Sequence, residues 1–115
     1  MDTFEKGESI PRTVTLTDDD SNVIDTVDLL TISVRVYSRI HDIIGTYTLA
    51  DSDVVKQAPT SGGKIFFIVP ATATATARAM KYFYRITTTE TNADYPTGVR
   101  TRIFNGWCFD LKVVK

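Results

Sequence analysis

A chain of 115 residues, 43% hydrophobic and 23% charged, is long enough for one domain and too short for two. Its formal net charge of -1 gives no electrostatic footing for nucleic acid, whose affinity rests on phosphate neutralisation, and no apolar run approaches the roughly 20 residues that span a bilayer. A single cysteine, Cys108, excludes an intrachain disulfide, so the core is expected to hold the fold; Met1 to Lys6 has no apolar stretch, so no signal peptide is expected.

In chain order, Ile10, Val14 and Leu16 alternate with Thr13, Thr15 and Thr17, which predicts a first strand with Arg12 as an edge exception and Pro11 near the strand start. Asp18-Asp19-Asp20-Ser21-Asn22 reads as a turn. Leu30, Ile32, Val34 and Val36 then point one way, and Thr31, Ser33, Arg35 and Tyr37 the other, as in a central strand. His41-Asp42 falls in a connection. Ile43 to Leu49 predicts a third strand, with Gly45 marking a bulge or a close approach of backbone.

A polar stretch from Ala50 to Gly63 leads to Ile65-Phe66-Phe67-Ile68-Val69, a strand apolar on both faces and ended by Pro70. Ala71 to Ala79 reads as a short helical or irregular crossover. Tyr82, Tyr84 and Ile86 define one face of the next strand, with Phe83, Arg85 and Thr87 on the other. For the last third we expect a hairpin: Val99, Thr101 and Ile103 inward, a three-residue loop from Phe104 to Gly106, and then Trp107, Phe109, Leu111 and Val113 inward, with Arg100 opposite Asp110 and Gly106 left-handed. In this register Cys108 faces solvent beside Arg102. About seven short strands separated by turn signals make an all-β antiparallel sandwich the expected class.

Chemistry-bearing constellations are sparse. A hydrolytic triad needs a nucleophile, a base and an orienting acid, whereas the chain offers one histidine, His41, and one cysteine without recognisable partners. A structural zinc site needs about four nitrogen or sulfur ligands, which this inventory does not supply. Gly62-Gly63-Lys64 fails as a phosphate loop, because Ala58 and Ile65 stand where glycine and Ser or Thr belong and a strand follows where a helix should. Asp18-Asp19-Asp20 and Asp51-Ser52-Asp53 lack the spacing of a calcium loop and read as turn chemistry. We expect no catalytic residue, metal or cofactor. Tyr37, Tyr47 and Tyr95 are the candidates for stacking on a sugar. The surplus apolar residues Phe66, Ile68, Phe83 and the loop-tip Phe104 are the candidates for a protein interface.

Lys6-Gly7-Glu8-Ser9, Val14-Thr15-Leu16-Thr17-Asp18, Val23-Ile24-Asp25, Thr31-Ile32-Ser33-Val34-Arg35-Val36-Tyr37 and Lys81-Tyr82-Phe83-Tyr84-Arg85-Ile86 together resemble the Ig-like N-terminal domain of phage baseplate upper proteins (BppU type) and related tail or fibre-attachment domains. Ser21-Asn22 and Met80-Lys81 stand where that family usually has glycine. The resemblance implies an Ig-like sandwich over residues 9–115 behind an N-terminal arm of residues 1–8 and a non-enzymatic role in the virion. It also implies other virion structural proteins as partners, with several copies or a homo-oligomer on the particle, and neither nucleic acid nor membrane is expected as a partner. A capsid-decoration or head-fibre protein and a carbohydrate-binding module are the alternatives.

Overall fold

The computed structural model describes residues 3–18, 20–38, 40 and 43–112. Within them lie β1 (Thr3–Glu5), β2 (Ile10–Thr15), β3 (Leu29–Ser38), β4 (Ile43–Thr48), β5 (Val54–Lys56), β6 (Lys64–Val69), α1 (Ala71–Thr76), β7 (Lys81–Thr91) and β8 (Val99–Lys112). Two sheets pack face to face, one in the order β1-β8-β7-β3-β4 and one in the order β2-β6-β5. The order β8-β7-β3-β4 against β2-β6-β5 is that of strands G-F-C-C′ against B-E-D in an immunoglobulin sandwich. The chain is therefore an all-β, Ig-like sandwich. β1 runs parallel to β8 while the other pairs are antiparallel.

Alternation explains most of the core. Ile32, Val34 and Val36 of β3, Ile65, Phe67 and Val69 of β6, and Ile10 with Leu16 around β2 are all buried. Each such side chain contributes about 1.5–3 kcal/mol when taken out of water. Leu30 departs from the expected pattern and is 57% exposed, because the β3–β7 ladder shifts register between Leu29 and Thr31 and turns Leu29 inward in its place. Tyr82, the second residue of β7, stacks on Phe109 at 5.2 Å and donates its hydroxyl hydrogen bond to the Arg78 carbonyl at 2.8 Å. That is the tyrosine corner of Ig-like sandwiches, and it pins the crossover that α1 begins to the start of β7.

The C-terminal third is the main correction. Val99–Lys112 is one fourteen-residue strand and not a hairpin; it pairs with β7 from Thr91↔Val99 to Lys81↔Asp110. The turn lies earlier, in 92–98, where Gly98 takes the left-handed conformation (φ 72°) expected of Gly106. Arg100 is accordingly opposite Glu90, and Asp110 opposite Lys81. Gly106 serves another purpose: the phenol ring of Tyr84 lies where a Cβ would project, so any side chain there would collide with it. Phe104 is no loop tip; it sits mid-strand, half-buried against the core.

The inward faces of β8 are also reassigned. Ile103 is 59% and Trp107 37% exposed, while Arg102 is half-buried on the inner side. A register shift between Tyr82 and Phe83 leaves Cys108 unmatched on β8, so Cys108 and Phe109 are both buried and the phase reverses across them. Phe109 and Leu111 thus face inward as expected, whereas Trp107 and Ile103 do not. Val113 lies outside the described residues. Two strands were unexpected: β5 within the polar stretch, and β1 within the segment read as an arm. Gly45 marks the expected bulge, with a register shift at Val36/Tyr37 opposite it, and what comes close to its α-carbon is the Tyr47 ring and not another backbone.

Candidate interaction surfaces

The interior grades from apolar to polar along β7 and β8. The Tyr82–Phe109 end is dry, with Phe4 edge-on to Phe109 at 6.4 Å and the Arg12 guanidinium 4.9 Å above the Phe4 ring. Three inward rows further, Ile32 lies beside Thr88 and Thr88 beside Arg102, and Arg102 Nε donates to Glu90 Oε1 at 2.8 Å. Arg12, read as an edge exception, points into this interior and is half-buried. Burial pushes the Cys108 thiol up to about 12, against an opposing pull from the nearby Arg12. Such a thiol is protonated and inert at neutral pH. Tyr47, expected to face outward as a sugar-stacking ring, is buried against Phe67, and burial raises its phenol to about 12, helped by the negative potential of Cys108 and Asp53.

One flank of the sandwich is open. β1 covers the outer edge of β8 only from Asp110 to Lys112, so from Val99 to Phe109 that edge has no strand partner among the described residues. Two cavities follow it. One of about 330 Å³ is lined by Arg12, Val14, Tyr84, Trp107 and Cys108, and one of about 360 Å³ by Asp18, Asp20, Arg100, Arg102 and Phe104. β2 presents the facing edge, since it pairs only with β6.

The four interface candidates do not gather into one patch. Ile68 is exposed and Phe66 half-buried on the outer face of the three-stranded sheet, beside exposed Val55, which is opposite Phe66. A cavity of about 340 Å³ lies along this face, lined in part by Val55, Phe66, Ile68 and Pro70. Phe83 lies on the outer face of the other sheet, where it meets Tyr37 with ring centroids 6.2 Å apart, and Phe104 faces the open flank. Trp107 and Ile43, absent from the sequence-based set, are cross-strand neighbours of Phe83 and Tyr37 in the same row. Tyr95 is exposed in the turn between β7 and β8.

The acidic loops do turn chemistry. Asp18 Oδ1 accepts from the backbone N–H groups of Asp20 and Asn22, and Asp51 Oδ2 accepts from the Thr48 hydroxyl. Among the described residues no group of three or more His, Cys, Asp or Glu converges on a metal-sized site. His41 and Asp42 lie outside the described residues. Among the described residues no helix is long and apolar enough to cross a membrane. No protein-family model, curated protein or solved structure matches this chain.

Proposed function

We propose that the chain is a non-enzymatic docking domain of a phage virion, attached to a neighbouring structural protein of the tail, baseplate or neck through its uncovered β8 edge. One observation carries the reading: from Val99 to Phe109 the outer edge of β8 has no strand partner among the described residues, with exposed Val99, Ile103 and Trp107 along it. Unpaired backbone N–H and C=O groups on a strand of this length template pairing with another chain, and proteins that stay monomeric blunt such edges with charge, proline or a cover. Along Val99–Phe104 the two cations, Arg100 and Arg102, sit on the half-buried inner side and the exposed side chains are Val99, Thr101 and Ile103. The apolar outer face around Val55, Phe66 and Ile68 offers a second contact. The virion context rests on the resemblance to baseplate upper proteins, which spans roughly Glu5 to Val114 and has most of its motifs on β2, β3 and β7.

Added strands give affinity through main-chain hydrogen bonds, and flanking pockets give selectivity. A second copy fits the same rule, so several copies on one particle are part of the proposal. Mass spectrometry of virions purified from the source phage should find this polypeptide, and electron microscopy of labelled copies should place it on the tail, baseplate or neck. Its absence from purified particles overturns the reading; a position on the capsid shell replaces it with capsid decoration. Val99→Lys with Ile103→Lys should reduce incorporation while leaving the thermal midpoint of the isolated domain unchanged.

A further inference from the structure

The outer face of the five-stranded sheet carries two cross-strand rows unlike the rest of the surface. In one, Ile43, Tyr37, Phe83 and Trp107 lie side by side on β4, β3, β7 and β8. In the next, Arg35 on β3 is directly opposite Arg85 on β7, with Thr46 and Asn105 at the two ends. Like charges directly opposite destabilise a sheet, and ordinarily one of them is replaced or matched by a carboxylate. Neither row contains an acidic residue, nor does the row beyond, Thr48, Ser33, Thr87 and Ile103. Arg85 Nε is held by the neutral Asn105 Oδ1 at 3.2 Å. A cleft of about 140 Å³ opens between Arg35, Arg85, Tyr37 and Ile43.

We propose that this face binds an acidic saccharide, with a pyranose lying against the Tyr37–Phe83–Trp107 row and its carboxylate held between the Arg35 and Arg85 guanidiniums. The ligand must be apolar on one side and negative on the other. Guanidinium forks match carboxylate geometry, and aromatic rings offer a flat apolar surface. The Tyr37 and Phe83 rings, on adjacent strands, follow one another at 6.2 Å, which suits successive flat rings of a chain better than a single protruding side chain. Thr46 and Asn105 end the arginine row, and Thr87 follows Arg85 on the same face, with amide and hydroxyl groups of the kind that pair with sugar hydroxyls. A single-stranded nucleic acid fits less well: its affinity grows with the number of phosphates neutralised, and these two rows present two cations on a chain of net charge -1. The site shares Trp107 with the uncovered β8 edge, whereas Arg35, Tyr37, Phe83 and Arg85 lie on β3 and β7, so Arg35→Gln tests it apart from the docking role.

Titration calorimetry with oligogalacturonate, neutral xylo-oligosaccharide, an oligothymidylate and polyglutamate decides the matter. Oligogalacturonate should bind, and xylo-oligosaccharide, which lacks the carboxylate, at least tenfold more weakly. Arg35→Gln and Trp107→Ala should each weaken oligogalacturonate at least tenfold. Arg35→Gln should also leave the thermal midpoint unchanged or raised, because it relieves the Arg35–Arg85 repulsion, which separates a binding role from a structural one. The proposal is overturned if oligogalacturonate shows no heat at millimolar concentration, if binding is indifferent to Arg35→Gln, or if oligothymidylate or polyglutamate binds more tightly than the saccharide.

Discussion

On either side of its bulge, β8 follows the same neighbour, β7, yet its two stretches live in different surroundings. From Phe109 to Leu111 the strand buries Phe109 and Leu111 and is paired on both edges near its end, with β7 inside and β1 outside. From Val99 to Trp107 it is paired on one edge, turns half-buried Arg100 and Arg102 inward and leaves Ile103 and Trp107 to solvent. One extra residue at Cys108 makes the change. A bulge reverses which side chains face the core, so a single strand is packed at one end and leaves apolar side chains in solvent at the other.

The largest way to test that contrast is to truncate one aromatic on each side. Phe109→Ala should destabilise by about 3–5 kcal/mol in urea unfolding, whereas Trp107→Ala should stay within about 1 kcal/mol. Equal losses would break the comparison. Next comes the alkaline response of the buried groups. Cys108 ionises near 9.0 when unfolded and near 12 when folded, and Tyr47 near 10.0 and near 12. The folded state therefore holds protons that the unfolded state releases, and stability falls as pH rises. The contribution from Cys108 is complete below pH 9 and lost between 9 and about 12. Unfolding followed across that range should show the decline weakened in Cys108→Ala, and at pH 8 the native thiol should resist a disulfide reagent that modifies it at once in urea.

Smaller effects sharpen the picture. Tyr82→Phe removes the hydroxyl donor to the Arg78 carbonyl while keeping the ring on Phe109, and should lower stability by about 1 kcal/mol. Glu90→Gln breaks the half-buried pair with Arg102 at the polar end and should lower it by about 0.5 kcal/mol, an effect that shrinks in high salt. A loss from Glu90→Gln matching that from Phe109→Ala would mean that the polar end, too, is part of the structural core.

Legibility in the sequence followed the length and regularity of the pattern. β2, β3 and β7 were readable because period-2 alternation persists over several residues, β6 because a continuous apolar run of strand length ends at Pro70, and the crossover helix because alanine fills the gap between two apolar strands. β1 and β5 were not, since three residues cannot display a period. The hairpin expected at Asn105-Gly106 was wrong for a physical reason: a strong turn pair has other uses. Gly106 leaves room for the Tyr84 ring and Asn105 accepts from Arg85, while the loop 92–98 supplies the reversal. Reading Trp107 as core followed from that error, because an unseen bulge shifts the phase of everything before it. The Phe83 surface position was legible; its neighbours in the aromatic row were not, because cross-strand register is absent from a linear reading.

A strand of fourteen residues rises about 46 Å, most of the 53 Å long axis of the molecule. The β1–β8 pairing sits at one end of that strand and the loop with Tyr95 adjoins the other. The strand thus has two addressable tips. A reporter spliced between Asn92 and Gly98 and one fused beside β1 would bracket its orientation on any larger assembly.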